Sequence, residues 1–355
     1  MTLARTIETL SNAPGVSGFE GPVLQAARDI LPKDVIVSED RIRNLYIQKK
    51  SASARPCVVM LDAHSDEVGF MVQAVNADGT LKFTPLGGWN PQALSAQPVR
   101  VLNGKGRWLR GVVASRPTHF MSPEEAAKPL AITSMAIDLG AGSATEAVQD
   151  FHIQVGAPVV PDVTFSRDAD KGLLFGKAFD DRLGCALVLD IMSRNLSLHP
   201  DLSVTGALSS QEELGLRGVK VAVETVKPDI AICLEGTPAD DTLGNPGFVQ
   251  AGLKKGPQIR HLDQSVLPNP GFVRFAVDTA REKQIPFQQA VRSSGGNNAG
   301  VITLHDRGIP TITIGVPVRY IHSHNGIAAL ADVEAAGRWC AAILESLTPE
   351  RIESF

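Results

Sequence analysis

The sequence predicts an α/β protein: a mostly parallel central sheet flanked by helices, interrupted by a small, β-rich, barrel-like insertion. Three observations lead there. Beyond about residue 166, apolar strand-like runs alternate with amphipathic helical stretches, as in units that build a parallel sheet covered by helices. Between Phe70 and Asp162 the texture changes to short alternating segments separated by Gly, Pro and Asn, as in a compact β module. The 355 residues also exceed the usual size of one domain. The expected division is one α/β domain made from residues 1–69 and 166–355, with residues 70–165 inserted.

The chain opens on a helix. "GVSGFEGPVLQAARDIL" then supplies a break and a second helix, whose start is marked by Ser17 with Glu20 three residues later, or by Pro22 in its first turn. "VIVSED", "NLYIQKK" and "CVVMLDAH" read as strands. The insertion contributes "FMVQAV", "LKFTPLGGW", "PVRVLNG" and "WLRGVVAS". After "GLLFGKAFDDR" come "LGCALVLDIMSRNL", "LSVTGALSS", "GVKVAVETV", "DIAICLEG", "FVRFAVDTAREKQ", "GVITLHDRG" and "TITIGVP", then a final helix from about Val333 to Leu347. Gly140 and Gly142 form a Gly-x-Gly without the third glycine of a dinucleotide fingerprint, so they mark a tight turn.

Composition narrows the function. Hydrophobic residues make up 43% and charged residues 20%, an ordinary globular balance. The net charge of -4 offers no basic excess to neutralise phosphates, so no nucleic-acid partner is expected. No apolar run is long enough for a membrane span, the N-terminus lacks the apolar core of a signal peptide, and a cytoplasmic protein is the expectation. Cys57, Cys185, Cys233 and Cys340 are far apart without CxxC spacing, which predicts reduced thiols and no zinc cage of cysteines.

The chemistry is carried by the ends of apolar runs. "VVMLDAHSD" ends in His64 and Asp66, "VTGALSSQEE" in Glu212 and Glu213, "IAICLEG" in Glu235, and "TITIGVPVRYIHS" in His322; "AFDDRLG" adds Asp180 and Asp181 directly before a helix. If the chain is still extended through "DAHSD", Asp62, His64 and Asp66 project from one side. An acidic pair alone is usually a solvated turn, and a lone histidine a satisfied side chain. Several such ends in an open α/β sheet instead converge on one crevice beyond the carboxyl ends of the strands. Two histidines and several carboxylates suit Zn²⁺, Co²⁺ or Mn²⁺ in a hydrolytic site. Two metals need a bridging carboxylate and about two terminal ligands each. That count works with Asp180 as the bridge and leaves Glu212, beside the ligand Glu213, as a general base.

In these motifs, from "APGVSGFE" through "DAHSDEVGF", "GKAFDDRLG", "SSQEELGLRG" and "CLEGTPADD" to "VPVRYIHS", the chain resembles the glutamyl and deblocking aminopeptidases, metallopeptidase family forty-two, also called tetrahedral aminopeptidases. The resemblance covers essentially the whole chain and implies the dinuclear zinc-exopeptidase fold. It implies that His64, Asp180 and Glu235 hold one metal, that Asp180, Glu213 and His322 hold the other, and that Asp66 orients His64. It implies a cis Asp180–Asp181 peptide, an insertion that mediates dimerisation, and a homo-oligomer in which dimers build a hollow twelve-subunit tetrahedron. If the insertion serves assembly, Trp89, Trp108 or Phe120 should be exposed at a subunit contact; for each taken separately the expectation is that it fills the insertion's own core. The sequence departs from the family pattern at Glu235, where many members carry Asp, and at "GGNNAG", where Asn297 and Asn298 stand in a loop expected near the substrate side.

The function this implies is removal of the N-terminal residue from short peptides, with a water between two divalent metals activated by Glu212. A deacetylase or carboxypeptidase of the same architecture would share the metals and differ in the pocket. An endoglucanase would need two carboxylates facing across a bond, which neighbours such as Glu212 and Glu213 do not do. An inactive assembly protein would not need every ligand.

Overall fold

The computed structural model describes residues 1–49, 53–54, 56–126, 128, 130–242 and 246–355. Its central sheet has eight strands in the order Ile36–Glu39, Leu45–Gln48, Leu202–Ser209, Cys57–His64, Ile230–Pro238, Thr311–Val318, Gln258–Leu262 and Gln288–Val291. The middle four run parallel to one another. The margins are where the sheet departs from parallel: Leu45–Gln48 is antiparallel to both its neighbours, and Gln258–Leu262 is antiparallel to Thr311–Val318. The four parallel strands are the near-continuous apolar runs of the sequence, buried because helices cover both faces.

On one face, helices Leu3–Asn12, Gly21–Ile30, Phe179–Ser193, Pro270–Glu282 and Leu330–Ser346 bring Leu10, Leu24, Leu187, Phe272 and Trp339 onto Val59, Leu61, Ile232 and Ile314. On the other, Arg217–Val226 and Ala299–Thr303 bring Val219, Val223 and Ile302 onto Met60, Ala231 and Cys233. The second helix starts at Gly21 with Pro22 in its first turn; the Ser17–Glu20 start is not used, and Ser17 bonds elsewhere. "GVITLHDRG", whose β-branched apolar residues suit a strand as well as a helix, contributes the short Ala299–Thr303 helix packed under the sheet.

The chain leaves the sheet after His64 and builds a closed six-stranded antiparallel barrel from Gly69–Val75, Leu81–Leu86, Pro98–Leu102, Trp108–Val113, Ile137–Asp138 and Pro158–Pro161. The barrel has its own core of Phe70, Val72, Phe83, Val99, Val101, Ile137 and Val159. Of the three aromatics weighed between a contact surface and the insertion's own core, only Phe120 is exposed, at 68%. Trp89 packs on the barrel core, and Trp108 packs with Val16, Leu86 and Val160 where the barrel meets the α/β domain. Gly140 turns at φ +83°, its N–H bonded to the Asp138 carboxylate, as the tight-turn reading requires. The four cysteines are free. Among the described residues no helix is long and apolar enough to cross a membrane.

Candidate active site

The four parallel strands end at the same margin of the sheet, and that geometry assembles the site. Ser209 pairs with His64 at the ends of two strands, and Glu235 pairs with Gly315 on the other two. The side chains that follow these positions therefore meet in space although the chain separates them by up to 258 residues, from His64 to His322.

His64 is buried, and its Nε2 lies 2.9 Å from Asp180 Oδ1 and 3.4 Å from Glu235 Oε1. His322 Nε2 lies 3.2 Å from Asp180 Oδ2 and 3.2 Å from Glu213 Oε1. One carboxylate thus turns one oxygen to each imidazole. The Asp180–Asp181 peptide is cis. Glu212 stands apart, its Oε2 4.0 Å from His64 Nε2, facing a cavity of about 310 Å³ that Glu213 does not line.

Asp66 acts as a hub. Its Oδ1 is 3.4 Å from His64 Nδ1 and accepts the Glu212 N–H at 2.9 Å; its Oδ2 accepts the Glu213 N–H at 3.2 Å and the Ser17 hydroxyl at 2.6 Å. One side chain therefore orients an imidazole and fixes the backbone beneath two catalytic candidates. Asp181, left without a role at the sequence level, accepts backbone N–H bonds from His64, Gly184 and Gly236. Both its oxygens are occupied, so it braces the site from behind.

Two further buried groups escaped sequence reasoning. Lys177 Nζ is 2.6 Å from Glu67 Oε2, and Arg182 donates to the carbonyls of Leu10, Ala13, Gly15 and Ser65, tying the first helix and the loop after His64 to the Asp180 segment. Both cations flank Asp180 within "GKAFDDRLG", and that adjacency is the signal that could have found them. Asn297 and Asn298 are each 1% exposed. Asn298 Nδ2 donates to Asp62 at 2.7 Å and to Ser209 at 2.8 Å, so these asparagines lie behind the site, and it is Ser294, Gly295 and Gly296 that border the cavity. Their short amides satisfy buried polar groups that substrate could not reach.

The electrostatics call for a cation. Burial would push His64 down, yet Glu212, Asp180, Asp66 and Glu235 hold it well above its usual value. Burial, with Glu235, Glu213 and Asp180 nearby, pushes Glu212 well up, and burial pushes Glu235 up to about 8. Asp180 stays well below the usual carboxylate range because both imidazoles outweigh its burial. Asp180, Asp181, Glu212, Glu213 and Glu235 crowd around two imidazoles, and so many carboxylates withdrawn from water need positive charge that two histidines do not supply. Three groups have ligand atoms within 4.8 Å of one another: His64, Asp181 and Glu235; His64, Glu212 and Glu213; Asp180, Glu213 and His322. This donor set, with hard oxygens, imidazole nitrogens and no cysteine, fits divalent metals.

A larger cleft of about 700 Å³ opens at the opposite margin, lined by Asp229 and Pro310 just before two of the parallel strands. The carboxyl ends of the strands lie elsewhere, and so do all the residues above.

Fold and site together define a metal-dependent peptidase of the α/β exopeptidase kind. Residues 43–338 match the M42 glutamyl aminopeptidase family, and the chain belongs to it. It is 32% identical to the glutamyl aminopeptidase of Lactococcus lactis subsp. cremoris over 99% of this chain and 98% of that protein. Among solved structures, the TET aminopeptidase of the marine sediment archaeon Thaumarchaeota archaeon SCGC AB-539-E09 superposes with TM-score 0.94 at 34% identity, covering 99% of this chain and 98% of the other. The Pyrococcus horikoshii TET1 peptidase, which can assemble into a tetrahedron or a large octahedral shell, superposes with TM-score 0.86 at 25% identity, covering 98% of this chain and all of the other. The chain is a metal-dependent aminopeptidase.

Proposed function

We propose that this enzyme removes the N-terminal residue of short peptides with two divalent ions, one held by His64, Asp180 and Glu235 and the other by Asp180, Glu213 and His322. The observation that carries this is Asp180, whose two oxygens face one imidazole each at 2.9 and 3.2 Å. Zn²⁺, Co²⁺ and Mn²⁺ all suit the donors. When bound, such ions lower the pKa of water and polarise the scissile carbonyl. Glu212, held by its backbone on Asp66 and facing the cavity, takes the proton of the attacking water and returns it to the leaving amine. Glu213 is turned away from the cavity onto His322, which supports a ligand's role.

The wall away from these carboxylates is basic. Arg260 borders the cavity but is itself buried: its Nε is enclosed without a partner, and its other nitrogens reach Asp263 and Thr237. Arg292 lines it beside Arg260 and pairs with Asp240. Each arginine is already paired with a carboxylate, so the preference this wall gives an N-terminal glutamate or aspartate over lysine or arginine is modest; both a glutamyl and a lysyl aminopeptidase stand among the relatives. The shell-forming neighbour supports a homo-oligomer, for which we propose a twelve-subunit tetrahedron assembled through a barrel-domain dimer. Four free cysteines suit the reducing cytoplasm.

The test is a panel of aminoacyl reporter substrates assayed with Co²⁺, Zn²⁺ and Mn²⁺. Glutamyl and aspartyl substrates should be cleaved fastest. Hydrolysis of N-acetylated or C-terminal substrates in preference to free N-termini would favour the deacetylase or carboxypeptidase reading.

A further inference from the structure

The barrel reaches into the site. Between the barrel strand Leu81–Leu86 and the short helix Pro91–Ala93, the chain passes Gly87, Gly88 and Trp89 directly under the second half of the ligand set. A Cβ on Gly87 would stand 2.9 Å from Glu213 Oε2, and one on Gly88 would stand 3.2 Å from His322 Nδ1. The barrel backbone is therefore a wall against which both side chains rest.

Trp89 locks that wall in place. Its indole stacks on Phe70 of the barrel core, with centroids 4.7 Å apart and planes at 23°, and its Nε1 donates to the Gly69 carbonyl at 3.1 Å. The same indole packs 5.4 Å from the ring of His324, two residues beyond His322 and only 2% exposed. His322 itself sits at φ +56°, a left-handed conformation that a non-glycine residue keeps only where its surroundings hold it. The packing of half-buried Trp89 between buried Phe70 and buried His324 supplies that hold from the barrel side.

We infer that Trp89 is a positioning residue: by clamping the Gly87–Gly88 loop and His324, it fixes His322 and Glu213 and so sets the affinity of the second metal position. The barrel then tunes the metal site in addition to any role in assembly. This rests on the ligand assignment proposed above, so the test separates the two.

Co²⁺ binding is titrated calorimetrically into metal-free wild type, Trp89→Ala, Trp89→Phe, Gly88→Ala and His322→Ala, with bound metal counted after dialysis. Trp89→Ala should keep one ion with wild-type affinity and bind the second about 10- to 100-fold more weakly, the usual cost of losing a ligand's support. Trp89→Phe should restore most of that loss because it preserves the stack. Gly88→Ala, which leaves Trp89 intact and pushes on His322 directly, should show the same selective loss and reports on the wall contact alone; if Trp89→Ala does not fold, Trp89→Leu, which fills the space without the aromatic face or the Nε1 bond, takes its place and decides the matter. Trp89→Ala, or Trp89→Leu in its place, binding two ions as wild type does, while His322→Ala loses one, would overturn the inference and leave the ligand assignment standing. If His322→Ala keeps two tight ions, the assignment itself falls, and the inference with it.

Discussion

His64 and Asp180 lie 116 residues apart in the chain and 2.9 Å apart in space, Nε2 to Oδ1. The contact joins the end of a sheet strand to the start of a helix, and Asp180 Oδ2 continues it to His322. Two halves of the site share one carboxylate, and the first prediction follows from that sharing.

Asp180→Ala should remove both metals together, because it is the only residue assigned to both. His64→Ala and His322→Ala should each weaken one site. Metal analysis of the purified variants is the check; two tightly bound ions per chain in Asp180→Ala would refute the bridge.

Glu212 and Glu213 should separate chemically. Glu212→Gln keeps size and the backbone bond to Asp66 but removes the base, so turnover should fall roughly 10²–10⁴-fold with both metals retained. Glu213→Gln should instead lower metal occupancy, and excess metal should restore part of the activity. Metal content and turnover measured on the same preparations would show the roles reversed if the losses exchange places.

Glu20 should make stability depend on pH. Its carboxylate is fully buried, accepts the Gly18 and Gln211 N–H groups, and has one oxygen without a partner. Burial, then the neighbouring Asp66, pushes it up from 4.5 to about 7. Below pH 4.5 the group is protonated in both folded and unfolded chains and carries no penalty. From 4.5 to 7 the unfolded chain releases its proton while the fold keeps it, so stability falls as pH rises, by roughly 3 kcal/mol in total. Glu20→Gln should remove that component, so its stability relative to wild type should grow between pH 4.5 and 7. Denaturant melts at several pH values measure it; parallel profiles for the two proteins would count against it.

The barrel should matter for size. A chain with residues 70–161 excised should no longer sediment as the proposed twelve-subunit particle, and the exposed Phe120 makes Phe120→Glu a gentler form of the same experiment. An unchanged sedimentation coefficient in both would remove the assembly role.

Much of this was legible in one dimension. Apolar runs that break off at His64, Glu212 and His322 mark strand ends, and in a parallel sheet strand ends share a margin, so their convergence follows from pattern alone; Glu235 reaches the same margin from inside its strand, which runs on to Pro238. The insertion was visible because alternation with turn residues differs in period from helix and strand units. Local pattern did not determine which groups would be buried or what they would meet there. The GGNNAG loop borders the cavity as expected through Gly295 and Gly296, but its Asn298 donates to Asp62 and Ser209 behind the site; Arg260 and Arg292, without any local signal, line the cavity; Trp89 packs on the barrel core as expected of it singly, but its further contact with His324 had no local signal. Periodicity is set by bonds between near neighbours, so it is written in the sequence. Burial and the partner of a polar group depend on packing between segments dozens to hundreds of residues apart, and only the folded chain brings those segments into contact.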